Sequence, residues 1–388
     1  MAGPLSHIRV LDLSRIMAGP WAGQVLADLG ADVVKVERPG AGDDTRGWGP
    51  PFLKDKVGRD TSDAGYFLSV NRGKRSIAVD LADAEGQGIV RALAARADIV
   101  LENFKAGALA KYGLGYEDLG AINPALIYCS ITGFGQSGPR RDQAAYDFMI
   151  QGMSGLMSVT GEADGKPGAG PQKVGVPIVD IMTGMYAAIA VLAALARRQV
   201  SGQGEHVDIG MLDVGASFLA NQAMNYLISG RAPRRAGNAH PNIQPQDVFA
   251  TRDGHLVLAV GNDDQFARFC DVHERPDIAV RPDQHRAGGF RRRADQASRD
   301  ADRDRTSGGG RRPAGGVADA LQARSALAQA PAAAARRAHR GNSARAGLAG
   351  CEGARRIRRG REMIGIPDVS PARRLAIRNI GDHRAQAV

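Results

Sequence analysis

Strand-like and helix-like stretches alternate along the first 280 residues, and this alternation narrows the fold more than any other feature. IRVLDLS (8–14) is a short run rich in branched side chains, and GPWAGQVLADLGA (19–31) has helical apolar spacing ended by Gly30. DVVKVERPG (32–40) predicts a second strand, broken by Pro39 and Gly40, and a Gly- and Asp-rich loop follows. KRSIAVDL (74–81) predicts a third strand, DAEGQGIVRALAARA (83–97) a helix and DIVLENF (98–104) a fourth strand. ALIYCSITGFG (125–135) predicts a fifth, leading into a helical AYDFMIQGMSGLMSV. Strands separated by helices of this length predict an α/β fold, a parallel nucleotide-binding-like sheet flanked by helices. In such sheets ligands gather outside the carboxyl ends of the strands.

Several polar groups fall at those ends. Arg15 and Met17 follow the first strand, Glu37 and Arg38 close the second, and Asn103, Phe104 and Lys105 close the fourth. A dinucleotide site is the generic reading, but the first turn, SRIMAGPWAG, lacks the G-x-G-x-x-G pattern that brings backbone close to a pyrophosphate. From the residues alone, Arg38 is open between a ligand and a solvated surface charge. Pattern reaches a nucleotide-like binder of open class.

GVPIVDIMTGMYAAIAVLAALARR (175–198) holds one carboxylate, Asp180, at the mouth of a charge-free run, 181–196. An Asp just ahead of a helix can cap its free N–H groups. Alternatively, the helix N-terminus stabilises the anion and aims it at a substrate. The run falls short of the roughly 20 apolar residues that cross a bilayer. Locally, both readings of Asp180 stand.

The net charge of +10 suggests a nucleic-acid partner until the chain is divided. Residues 281–388 hold 24 Arg, no Lys and 10 acidic residues, a net of +14, which leaves the first 280 at −4. Of the 19 aromatic residues only Phe290 lies in that last stretch, beside 24 Ala. The basicity belongs to a segment with almost nothing large to bury. Cys129, Cys270 and Cys351 are too far apart for a disulfide framework or a zinc site, and the histidines show no ligand spacing, so no metal is expected. The N-terminus lacks a basic flank and long apolar run, so the expected location is cytoplasmic, with no membrane partner. At 388 residues, two domains are expected.

The motifs resemble the family III CoA transferases, the CaiB–BaiF family. The matching text is RVLDLSRIMAGPWAGQVLADLGADVVKVERPGAGDDTR, NRGKRSIAVDL, ADIVLENFKAGALAKYGL, NPALIYCSITGFGQSGP, AAYD, GVPIVDIMTGMYA, GQGEHVDIGMLD and GNDDQFARFC, in family order over roughly residues 5–280. The resemblance implies that Asp180 is the catalytic nucleophile, exchanging CoA between an acyl-CoA donor and a carboxylic acid through aspartyl anhydride and aspartyl-CoA thioester intermediates. Coenzyme A is then a cosubstrate, with no cofactor bound permanently. By the same resemblance Met17 and Ala18 line the pantetheine and Arg38 meets the adenosine phosphates. Val79, Asp80, Leu81 and Ala82 hold the adenine, with Ala82 where the family often has Lys. Asn103, Phe104 and Lys105 form the next CoA segment. Lys111 stands where Arg is common, keeping the charge without the bidentate fork. Gln143, Ala144, Ala145 and Tyr146 border the pantetheine arm. The fold implied is an interlocked homodimer with a large domain over 1–225 and a smaller α+β domain starting at 226–280.

Two departures stand out. The glycine-rich loop that closes over the nucleophile in many members is here RAGNAHPN (235–242), stiffened by His240 and Pro241. After about residue 280 the family pattern gives way to the Arg/Ala/Gly-rich 281–388, a composition that a GC-rich gene yields when read out of frame; a genuine basic tail is the alternative. REMIGIP (361–367) faintly echoes a late family motif. Two other functions compete. An α-methylacyl-CoA racemase of the same family uses a His–Asp pair for proton transfer, and the matching pair here is Tyr146–Asp147. A non-enzymatic nucleic-acid binder would rest on the tail, which lacks interleaved aromatics, so no specific nucleic acid is expected.

Overall fold

The computed structural model describes residues 3–272 together with the backbone of Arg378–Asn379. In chain order these residues form β1 (Arg9–Asp12), α1 (Ala18–Asp28), β2 (Asp32–Glu37), β3 (Phe52–Lys54), β4 (Asp60–Ala64), α2 (Gly65–Leu68), β5 (Arg75–Ala78), α3 (Ala84–Ala94) and β6 (Ile99–Glu102). Next come α4 (Tyr116–Ile122), β7 (Ile127–Thr132), α5 (Asp147–Met153), α6 (Leu156–Val159), α7 (Ile178–Ser201), β8 (Glu205–Gly210), α8 (Met211–Ser217) and α9 (Ala220–Ser229). The hairpin β9 (Gln246–Ala250) and β10 (His255–Ala259), then α10 (Asp263–Val272) and the two-residue β11 (Arg378–Asn379), complete the order.

Six strands run parallel in the order β5-β2-β1-β6-β7-β8, and β11 pairs antiparallel on the β5 edge. Every residue of β6 and β7 is buried, as a parallel sheet covered on both faces requires. The pleat divides their side chains. Val10, Ile99, Leu101, Ile127 and Cys129 face α1 and α7, whereas Leu11, Val100 and Tyr128 share the opposite core with Val90 of α3 and Leu119 of α4.

All five predicted strands are present, each a few residues shorter than its apolar run. β8 adds a sixth strand that alternation in the sequence had not marked. The segment read as a loop between the second and third strands contains the β3–β4 hairpin and α2. The helix expected over AYDFMIQGMSGLMSV is two helices, because Gly155 takes a left-handed φ of 88° that ends the first. α7 has 24 residues and is long and apolar enough to cross a membrane, yet its Ala187, Val191, Ala194 and Leu195 pack in the core beside α1. Close approach of the two helices requires Gly184: a Cβ there would lie 2.5 Å from the Ala18 carbonyl oxygen.

The chain divides into two compact units. The first comprises Met1–Ser154 and Gly175–Phe218 and carries the parallel sheet. The second takes Gly155–Val174 and the described residues from Leu219 onward, with α6, α9, α10 and the β9–β10 hairpin, an α+β set. Within it, Gly237 N–H donates to the Gly161 carbonyl at 3.0 Å, and Arg235 pairs with Asp164. His240 Nδ1 accepts from the N–H groups of Asn242 (3.1 Å) and Ile243 (3.0 Å), so the imidazole itself folds the 235–242 loop. Apart from Arg378–Asn379, the segment 281–388 lies outside the described residues.

Candidate active site

Asp180 is the third residue of α7, and Pro177 at the N-cap offers no side-chain hydrogen bond. The capping reading of Asp180 therefore fails on geometry. The carboxylate that serves the first turn comes from α5: Asp147 Oδ2 accepts from Val179 N–H at 2.7 Å and Asp180 N–H at 3.1 Å. Among the described residues the half-buried Asp180 carboxylate has no hydrogen bond or ion pair. Burial, then the neighbouring Asp147 charge, raises its pKa to about 7. This revises the expectation that the helix end lowers it, since two free N–H groups already serve Asp147. Tyr66 of α2 stands near both acids: burial, then the charges of Asp180 and Asp147, push its phenol up to about 12. Its ring meets Trp48 edge-on, with centroids 5.1 Å apart.

A second feature lies at the carboxyl ends of β1, β2, β5 and β6. Arg15, Arg38, Val79, Leu81 and Phe104, with the acidic residues Glu37 and Asp43, line a small, partly open cleft of about 30 Å³. It brings Arg38, Val79, Leu81 and Phe104 together from segments 66 residues apart at the extremes (38 to 104), with Arg15 stacked over the Phe104 ring at 5.2 Å. Arg38 pairs with Asp44 at the rim. Asn103 serves the cleft indirectly, accepting from Arg15 N–H at 2.8 Å and donating to the Arg15 carbonyl at 2.6 Å. Asp80 caps its own turn through Ala82 N–H (2.9 Å), and both are exposed. Met17 and Ala18 are buried at the start of α1, against α7 one turn beyond Asp180. Gln143, Ala144 and the 70 % exposed Tyr146 run along the surface into Asp147, and Ala145 packs on Gly133. Lys105 and Lys111 are exposed and make no ion pair among the described residues.

Beneath the first turn lies a buried ionic network absent from the sequence reading. Lys74 Nζ bonds Asp12 Oδ2 (2.8 Å), the Pro20 carbonyl (2.8 Å) and Asn71 (3.0 Å), and Lys35 bonds Asp43 (2.9 Å) and the Ser14 carbonyl (2.8 Å). Asp43 in turn accepts from Ile16 N–H at 3.3 Å, where Ile16 holds a φ of 70°. The network fixes a strained 14–17 turn at the cleft floor. Burial works against the Asp12 charge, but Lys74 and Lys35 outweigh it and hold the carboxyl below its ordinary range. Burial brings Lys74 down to about 8. Part of the signal was available, since Lys35 interrupts the apolar VVKV and Asp12 follows Val10 and Leu11; only the β1–β2 register places the two opposite one another.

Comparison with known proteins gives the family. CoA-transferase family III matches residues 5–347. The succinate–glutarate CoA-transferase of Agrobacterium fabrum is 59% identical over 269 residues, covering 69% of this chain and 66% of that protein. The mouse succinyl-CoA:glutarate CoA-transferase is 47% identical over 275 residues, 71% of this chain and 61% of the relative. The chain thus spans just under two thirds of the length of these relatives. A crystal structure of a CaiB/BaiF family protein from Brucella suis superposes with a TM-score of 0.66 at 50% identity, covering 77% of each chain.

Proposed function

The chain belongs to CoA-transferase family III, and from that premise we propose that it moves CoA from an acyl-CoA donor to a carboxylic acid, with Asp180 as nucleophile. The observation that carries the reading is a half-buried carboxylate in the first turn of α7 with no partner, whose capping duty a second acid performs. The Asp180 carboxylate attacks the thioester carbonyl, the C–S bond of the tetrahedral adduct breaks, and CoA departs as thiolate, leaving a mixed acyl–aspartyl anhydride. Thiolate returns to the Asp180 carbonyl, releasing the donor acid and leaving an aspartyl-CoA thioester. The acceptor carboxylate displaces CoA to form a second anhydride, which thiolate cleaves to product and free Asp180. Covalent division of the exchange replaces one high barrier by lower ones. Partial burial shields the anhydride from water.

The relatives named above act on succinate and glutarate, and another, from Haloarcula hispanica, on succinyl-CoA and mesaconate. We therefore assign the donor and acceptor to short dicarboxylic acids. The cleft at the strand ends is assigned to the adenosine half of CoA, with Arg38 toward the phosphates. A racemase reading loses its base, because Tyr146 supplies no imidazole and the Asp147 carboxylate is occupied by N–H groups. A homodimer belongs to the proposal: Phe148 (57 % exposed) and Ile189 (58 % exposed) leave apolar surface uncovered on α5 and α7. So does a cytoplasmic, membrane-free setting.

The test is a panel of acyl-CoA donors against carboxylate acceptors, read by mass spectrometry. CoA should appear on an added dicarboxylate, and the peptide containing Asp180 should gain the mass of the adduct when acceptor is withheld. Asp180→Ala should abolish both while CoA binding persists. Near-normal turnover in that variant would remove Asp180 from the role.

A further inference from the structure

We propose that Asp147, the first residue of α5, is the positioning residue for Asp180, fixing the first turn of α7 through its backbone N–H groups and setting a negative charge beside the nucleophile. The proposal rests on the covalent reading above. Both Asp147 oxygens are engaged: Oδ2 accepts from Val179 N–H (2.7 Å) and Asp180 N–H (3.1 Å), and Oδ1 accepts from Gln151 Nε2 (2.5 Å) one turn along α5. Packing holds α5 in place, since Ile150 is buried with Val179 and Met211, and Ser154 abuts Gly215 of α8. The carboxylate is thus delivered to α7 by a fixed element.

Charge is the part that capping does not explain. A neutral amide oxygen could accept the same N–H groups, so the acid must be judged by its effect on Asp180. An acid in the first turn of a helix normally feels the positive helix end and ionises more readily. Here two of those N–H groups serve Asp147, and Asp180 faces its negative charge instead. The titratable groups facing Asp180 within this unit are Asp147 from α5 and Tyr66 from α2, the latter with its phenol pushed up to about 12. Burial and Asp147 together raise Asp180 to about 7. Each anion of a more basic carboxylate is the stronger nucleophile, while ionisation at neutral pH falls to about half.

Asp147→Asn separates capping from charge, and Asp147→Ala removes both. Two readouts on the full chain are needed. The first is the rate at which succinyl-CoA, without acceptor, labels the peptide containing Asp180 between about pH 5 and pH 9. The second is the ¹³C carboxyl titration of Asp180 in the free protein, assigned by its absence in Asp180→Asn. Asp147→Asn should lower both midpoints by about one pH unit, which raises labelling at pH 6 about five-fold relative to its plateau. Asp147→Ala should lower the titration midpoint and also depress the labelling plateau at every pH, because the turn is no longer held. Should Asp147→Asn fail to fold, Asp147→Ser supplies another neutral acceptor. An Asp180 carbon midpoint unchanged in the neutral variant overturns the proposal. Absence of label in the wild-type protein at every pH instead defeats the covalent reading, and the carbon titration still decides the role of Asp147.

Discussion

A carboxyl group raised to about 7 binds its proton more tightly in the folded chain than in the unfolded one, so Asp180 ties stability to pH. Its contribution is full below its ordinary value and is lost as pH rises through about 7. Above that pH the fold must hold a desolvated anion beside Asp147. Asp180→Asn removes the anion at little change in shape. At pH 8 the variant should melt higher by about 2–4 °C for each kcal/mol relieved, and the gain should shrink steadily as pH falls, vanishing only below the ordinary carboxylate value. Differential scanning calorimetry across that range checks it; a gain independent of pH would show that charge is not the cause. Glu102, which burial raises to about 7, has the same sign in both proteins and cancels from the comparison. Glu37 runs the opposite way. Burial opposes its charge, but the paired hydrogen bonds from Arg46 and one from Ser76 win and lower it to about 2. Its stabilisation is present above its ordinary value and is lost as pH falls toward 2. For a residue proposed as nucleophile, such a cost to the fold is expected.

Among the elements, the first βα turn depends on buried charge and the α1–α7 pair on a missing side chain. Lys74→Met would strand Asp12 without its cation in a fully buried site, and loss of about 3–5 kcal/mol is expected in denaturant unfolding. If that variant unfolds like the wild type, the network carries little. Gly184→Ala would press a methyl group against the Ala18 carbonyl, which is backbone and cannot rotate away. α1 and α7 must then part, at about 1–3 kcal/mol, and because Met17 and Ala18 open α1, CoA binding should weaken in the same variant. An unchanged dissociation constant for CoA would separate that turn from the ligand. These features mark the limit of what the sequence discloses. The parallel strands were readable because β6 and β7 are buried on both faces and carry mostly apolar side chains. Arg38, Val79, Leu81 and Phe104 were readable through family motifs, and the fold brings them to one cleft. Asp147 stands out in the sequence only as the neighbour of Tyr146, since the N–H groups it serves on α7 lie 32 and 33 residues away and no local pattern records them; its local partner Gln151 reveals nothing of that role. The β3–β4 hairpin escaped for the opposite reason: its strands, FLK and DTSDA, have no apolar alternation.

For the whole molecule, size-exclusion chromatography with light scattering should report a dimer, and a monomer that still turns over would contradict the proposed assembly. The larger question is the charge asymmetry, −4 over the first 280 residues and +14 over the rest. We propose that 281–388 is the product of a reading-frame shift rather than a basic domain. Folding a domain requires large apolar side chains to offset chain entropy, and this stretch offers one aromatic residue amid 24 Arg and 24 Ala. The curated relatives match over 269 and 275 residues, about the length that carries the family motifs. Against the shift stands the family match itself, which runs on to residue 347 and so into this segment. Arg378–Asn379 pairs with β5 through backbone groups, and such pairing is indifferent to side-chain identity. If the proposal holds, translating the DNA in the other two frames from about codon 280 will yield alternating apolar strands and helices with aromatics at ordinary frequency. A chain with the frame restored should then transfer CoA faster than this one, because the second unit would be complete. If neither frame shows that alternation, the frame-shift proposal fails and the basic segment is the gene's own product.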